Sequence, residues 1–239
     1  MNERLTIVMI PGTLCDGLLF QSQVEFLHSE HQVIVADSST SGSLSGQAKE
    51  IVNAIEAPSF IVMGLSYGGI LAFEILRQFK NRVSGLILMN TNHRKPSQAV
   101  IDGYDHFEQM IKDGKFLNIT SDVLIDRMIH PDLSGNEALR NRILQMAKNI
   151  GIDGFRKQVS AQLVRPDSGD TLRKLACRAL IIAGENDRVC PVEWHKEMAE
   201  MIPDATLEII LNCGHLSTME KPDEVNNILG KWLKRYEKK

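Results

Sequence analysis

Short apolar runs without alternation, each closed by a turn signal, recur along the chain. Leu5 to Ile10 stops at Pro11-Gly12, Gln32 to Ala36 stops at Asp37, and Phe60 to Met63 stops at Gly64. Val83 to Met89, Arg178 to Ala183 and Thr206 to Leu211 repeat the pattern further on. Runs of this kind read as strands buried on both faces, as in a parallel sheet. Between them lie segments of helical spacing. Leu18 to about Ser29 carries Leu19, Val24, Phe26 and Leu27, and Ser45 to Ala57 puts Ala48, Ile51, Val52 and Ile55 on one face. Gly69 to about Gln78, Val192 to Met201, and a last segment from Pro222 with Val225, Ile228, Leu229 and Trp232 continue the series. Alternation of strand and helix predicts βαβ units.

After Asn90 the rhythm changes. From about Asn92 to Ser168 no strong strand signal occurs, and helices are expected over Ser97 to Lys112, Ser121 to Ile129, Gly135 to Asn149 and Asp153 to Leu163. Breaks fall at Asp113-Gly114, His130-Pro131 and Ile150-Gly151. The expected organisation is an α/β core over residues 1–91 and 169–239, interrupted by a helical cap over residues 92–168.

Composition narrows the class. The 239 residues suffice for a large core, and 43% hydrophobic with 24% charged residues is ordinary for a globular protein. A net charge of −3 gives no basic excess for nucleic acid. No apolar run reaches the length of a membrane span, and Met1 to Arg4 leads into a strand-like run, not a signal peptide. Cys15, Cys177, Cys190 and Cys213 show no C-x-x-C spacing, so a reduced, cytoplasmic chain is the simplest expectation. A zinc site would need Cys190, Cys213, His215 and Asp187, without the close pairs such sites usually show; no metal and no cofactor is expected. The Asn118-Ile119-Thr120 sequon carries no weight without a secretory signal.

The candidate chemistry centres on Gly64-Leu65-Ser66-Tyr67-Gly68, a G-x-S-x-G turn between a strand and a helix. The bland reading is a tight turn whose glycines serve helix–sheet packing. A serine nucleophile there needs a base and an orienting carboxylate. Two later strands end in suitable loops, Gly184 to Pro191 with Asp187, and Asn212-Cys213-Gly214-His215. The order Ser66, Asp187, His215 suits this topology. Glu185 competes with Asp187, and Asn90-Thr91-Asn92, another common place for the acid, offers no carboxylate. The expected oxyanion donors are the backbone N–H groups of Tyr67 and Thr13. Gly12 allows close backbone approach, and Gly12 and Leu14 are expected at the substrate.

With these motifs the chain resembles the α/β-hydrolases over nearly all its length, most of all small microbial esterases related to pimeloyl-acyl-carrier-protein methyl ester carboxylesterase. The resemblance rests on Gly64-x-Ser66-x-Gly68, Gly184-x-x-Asp187-x-x-x-Pro191 and Cys213-Gly214-His215. It implies a mostly parallel central sheet flanked by helices, with an inserted helical cap after the sixth strand. It also implies a cofactor-independent serine hydrolase that cleaves a carboxylic ester through an acyl-enzyme on Ser66. Chemistries sharing the triad stay open: C–C hydrolysis, perhydrolysis of the haloperoxidase type, and lyase activity. A ligand receptor on the same scaffold is the non-enzymatic reading. One departure is that Pro11-Gly12 stands where the family usually has His-Gly, whose histidine braces the oxyanion loop.

Charge in the cap is segregated. Pro96 to Glu137 holds eight acids and three bases, and Ala138 to Pro166 holds six bases and one acid. Solvated helix faces explain this plainly. The sharper reading is a basic surface, with Arg140, Arg142, Arg156 and Lys157, for an acidic carrier protein or an anionic acyl end.

Overall fold

A computed structural model describes residues 4–236, so the reading of residues 1–3 lies outside the described part. Six strands form one sheet in the order β2-β1-β3-β4-β5-β6, every pair parallel. They are β1 (Thr6–Ile10), β2 (Gln32–Val35), β3 (Phe60–Leu65), β4 (Val83–Met89), β5 (Arg178–Gly184) and β6 (Ala205–Ile210). The lack of alternation in their sequences has a direct cause. Ile7, Met9, Ile61, Met63, Ile87, Leu180 and Ile182 pack into a core on one face of the sheet. Their neighbours Val8, Ile10, Val62, Leu86, Leu88 and Ile181 pack into a core on the other. The parallel sheet is what the sequence pattern predicts, and with its flanking helices it is the α/β-hydrolase architecture that the resemblance implies.

The helices Leu44–Asn53 and Tyr67–Phe79 cover one face, and Gln21–Leu27 and Pro222–Tyr236 cover the other. Between β4 and β5 lies the inserted helical region. It follows the fourth of the six strands found here, not a sixth. Its helices Gln98–Lys112 and Glu137–Leu163 enclose a small core of Ile111, Ile119, Ala147 and Phe155, which Leu14 joins from the sheet side. One detail differs from the helices expected. Ser121 to Ile129 is a π-helix over Ile119–Leu124 followed by the short α-helix Ile125–Met128. The break expected at Ile150-Gly151 is found: within Glu137–Leu163, Gly151 leaves helical geometry at φ 66° and ψ 177°, between two helical segments.

Among the described residues no helix is long and apolar enough to cross a membrane.

Candidate active site

The site is assembled where β1, β3, β4, β5 and β6 release their chains at the same sheet edge. Ser66 follows β3 and precedes Tyr67–Phe79, with φ 56° and ψ −117°. That conformation is sparsely populated for a side-chain-bearing residue and is held by its surroundings. Its N–H donates to Met89 O at 2.9 Å, and its carbonyl accepts from Thr91 Oγ1 at 2.7 Å. The glycines beside it are dictated by space. A Cβ on Gly68 would lie 1.8 Å from Ile10 O, and one on Gly64 would lie 2.3 Å from Gly68 C.

Asp187 and His215 meet as a buried pair, His215 Nδ1 to Asp187 Oδ2 at 2.8 Å. Four donors hold the carboxylate: Oδ1 accepts from the N–H groups of Val189 and Cys190, and Oδ2 from His215 and Asn90 Nδ2. Burial pushes this carboxyl up, but the His215 charge and the hydrogen bonds outweigh it and leave Asp187 below the ordinary carboxylate value. Glu185 takes no part in the pair; it accepts from the Asn212 N–H.

The loop after β1 lies against Ser66, since a Cβ on Gly12 would come within 3.2 Å of Ser66 Cβ. Tyr67 N–H, at the first helical position, has no acceptor within its own helix. Among the described residues the Thr13 N–H also meets no acceptor. Leu14, at φ 57°, turns its side chain into the core of the inserted region and does not line the cavity. A cavity of about 670 Å³ opens over these groups, lined by Gly12, Thr13, Ser66, Cys190 and His215 with mostly apolar neighbours.

One expectation needs correction. Among the described residues the Ser66 hydroxyl makes no hydrogen bond to His215. The side chain that closes on the pair is Cys190, and the ligand atoms of Asp187, Cys190 and His215 lie within 4.8 Å of one another. The cluster is therefore Cys–Asp–His, not the Ser–Asp–His set expected from sequence. The reading of a serine carboxylesterase working through an acyl-enzyme on Ser66 is set aside on that finding. Its physical reason is the Gly184–Pro191 loop, which wraps around Asp187 and brings Cys190 inward with it. Burial pushes the Cys190 thiol up, so it is held protonated.

The carrier surface expected on the cap also fares differently in space. Arg140 pairs with Asp126, Arg156 with Glu108 at 2.8 Å, and Arg142 donates to Leu18 O and Gln21 Oε1. Two of the six bases, Arg140 and Arg156, are thus paired with acids of the other segment, and Arg142 is held by neutral oxygens. Nothing observed supports a carrier protein there.

Several residues of the site carried no sequence signal. Asn90, passed over for lacking a carboxylate, ties Asp187 to Gly214 O, and Ser217 Oγ donates to Asn90 Oδ1 at 2.6 Å. His195 Nε2 accepts the Thr91 N–H at 3.0 Å, and burial lowers its pKa, consistent with a neutral ring. Two glutamines of the inserted helical region hold the loop after β1. Gln158 Oε1 accepts the Leu14 N–H at 3.0 Å, and Gln162 Nε2 donates to Thr13 Oγ1 at 2.8 Å. The departure at Pro11 was the only hint that another brace had to exist.

A family model described as the alpha/beta hydrolase family matches residues 7–228. A 2-hydroxy-6-oxononadienedioate/2-hydroxy-6-oxononatrienedioate hydrolase from Burkholderia vietnamiensis is 24% identical over 73% of this chain, a match that spans 62% of that protein. A thermophilic esterase from Thermogutta terrifontis, solved with malate bound, superposes with TM-score 0.88 at 24% identity, covering 99% of this chain and 92% of its own. A bromoperoxidase from Bacillus anthracis superposes with TM-score 0.83 at 18% identity, covering 98% and 93%.

Proposed function

The chain belongs to the alpha/beta hydrolase family, and from that premise we propose that it is a perhydrolase of the haloperoxidase type, which turns a carboxylic acid and hydrogen peroxide into a peracid. The observation that carries this reading is the state of the base. His215 is fixed through Nδ1 by Asp187 and lines the cavity, and its other nitrogen has no hydrogen-bond partner among the described residues. A base left open in this way suits a small diffusible acid such as hydrogen peroxide. The similarity to a bromoperoxidase adds support of the weaker, fold-level kind.

In this reading His215, oriented by Asp187, handles the proton, and Ser66, outside their cluster, lies beside the reacting oxygens. His215 takes a proton from HOOH, and the hydroperoxide oxygen attacks the carboxyl carbon of the bound acid. The tetrahedral oxyanion is held by the N–H groups of Tyr67 and Thr13, and the Ser66 hydroxyl hydrogen-bonds to the reacting oxygens. Collapse breaks the C–OH bond, and the proton on His215 leaves with that oxygen as water. The balance is RCOOH + HOOH → RCO₃H + H₂O, with no cofactor. Gly12 borders the reacting carbon, and Leu14 acts only through the loop it anchors. Cys190 stands in the cluster as a protonated thiol. The acid is taken free and not carrier-bound, because Arg140, Arg142 and Arg156 are already engaged. A cytoplasmic location fits the four unpaired cysteines.

The test is peracid formation from butyrate and hydrogen peroxide, followed through bromide oxidation. A rate that is present in the wild type and lost in His215→Ala is expected. No rate above the protein-free control overturns the proposal. A second reading, C–C bond hydrolysis of an oxo-dienedioate, is favoured by one observation: Arg94, Lys95, Arg127 and Arg165 all line the cavity, against Asp167 alone among acids. Release of free carboxylic acid from such a compound would select it.

A further inference from the structure

The four cations of the cavity wall are not equivalent. Arg94 is paired with Glu197 and lies over the Trp194 ring, 5.5 Å from its centroid. Arg165 differs in three respects. It is only 8% exposed, although it carries a permanent charge. Its hydrogen bonds go to neutral backbone carbonyls, Nε to Arg94 O at 2.9 Å and Nη1 to Gln162 O at 3.1 Å. Among the described residues no carboxylate pairs with it, and the lining acid Asp167 spends Oδ1 on the Gly169 N–H. The two carbonyls fix the guanidinium plane and leave Nη2 without a protein partner, in the wall that also contains Ser66 and His215.

A buried charge without a counter-charge is costly, and a planar guanidinium is matched best by a carboxylate. Part of the cost is met at the C-terminal end of Glu137–Leu163, where Arg165 donates to the Gln162 carbonyl. That explains the Nη1 contact and leaves the Nη2 edge unused.

We propose that Arg165 is a carboxylate-binding residue, so that the acid taken into this cavity is a dicarboxylate, one carboxyl reacting at His215 and the other paired with Arg165. Resting on the perhydrolase reading, this names its substrate class. The direction of the Arg165 titration agrees: burial pulls it down, opposed by Tyr104 and Cys190 and by no carboxylate. A bound anion supplies what is missing.

The test compares glutarate with valerate, which has the same carbon number and one carboxylate. Isothermal titration on the wild type, Arg165→Lys and Arg165→Gln measures binding apart from turnover, and circular dichroism confirms that each is folded. Glutarate is expected to bind the wild type about 10- to 100-fold more tightly than valerate. That ratio should collapse in Arg165→Gln and be partly restored in Arg165→Lys, a pattern that a helix-capping arginine alone would not give. If Arg165→Gln does not fold, the wild-type ratio and a smaller but still measurable ratio in Arg165→Lys decide the matter. Equal binding of the two acids by the wild type, or an unchanged ratio in Arg165→Gln, overturns the subsite. Glutarate selectivity without peracid formation leaves the subsite standing and removes the perhydrolase reading.

Discussion

At the scale of single residues, the behaviour of the site depends on how a few protons are held. Asp187 sits below the ordinary carboxylate value, with burial opposed by the His215 charge and by donors from His215, Cys190 and Asn90. A carboxyl depressed in the folded state adds stability that is full above its unfolded value and is lost as pH falls through the folded one. Denaturation curves between neutral and acid pH should therefore show a steeper acid loss for the wild type than for Asp187→Asn. The same substitution leaves His215 without its orienting anion and should lower turnover by roughly 10³- to 10⁴-fold. Cys190 offers a sharper check. Because burial keeps its thiol protonated, iodoacetamide near neutral pH should label it slowly and leave activity intact. Rapid stoichiometric labelling with loss of activity would identify a thiolate nucleophile instead.

Among elements, short loops and one helix set the geometry. Glu220 is the clamp of the histidine loop. Its oxygens accept the N–H groups of His130, Gly214 and Leu216, at 2.7, 3.0 and 2.9 Å. Burial raises its pKa and those three bonds work against the rise. Glu220→Ala should cost about 1.5–3 kcal/mol in urea denaturation and loosen His215. The helical segment after Gly151 reaches down to the loop after β1 through Gln158 and Gln162. Gln158→Leu strands a buried Leu14 N–H, so a loss of about 1–3 kcal/mol is expected. A fall in turnover beyond what that stability loss explains would show the loop displaced, measured at a temperature where the variant is fully folded. These elements also show what a sequence carries. The strands were legible because continuous apolar runs ended at Pro11, Gly64 and Gly184. The π-helix was not, since its apolar residues fit an ordinary helix equally well.

For the molecule as a whole, the sheet makes the site and the inserted region completes it. Asp187 and His215 could be named from sequence because each follows a strand of the same parallel sheet. Their supports could not, because Asn90, Ser217, Gln158 and Gln162 act across chain separations that leave no periodic trace. Charge misled for the same reason: Arg140 and Arg156 of the basic half pair with Asp126 and Glu108 of the acidic half, and Arg165, with no acid paired to it among the described residues, lies in the cavity wall. The claim on which the rest depends is that peroxide, activated at His215, attacks the bound acid directly. Hydrogen peroxide labelled with oxygen-18, supplied with unlabelled glutarate, tests it when the product is read by mass spectrometry alongside the intact protein. The expected result is a peracid carrying both labelled oxygens and a protein of unchanged mass. Absence of labelled peracid, or a protein gaining an acyl group at Ser66, would contradict it.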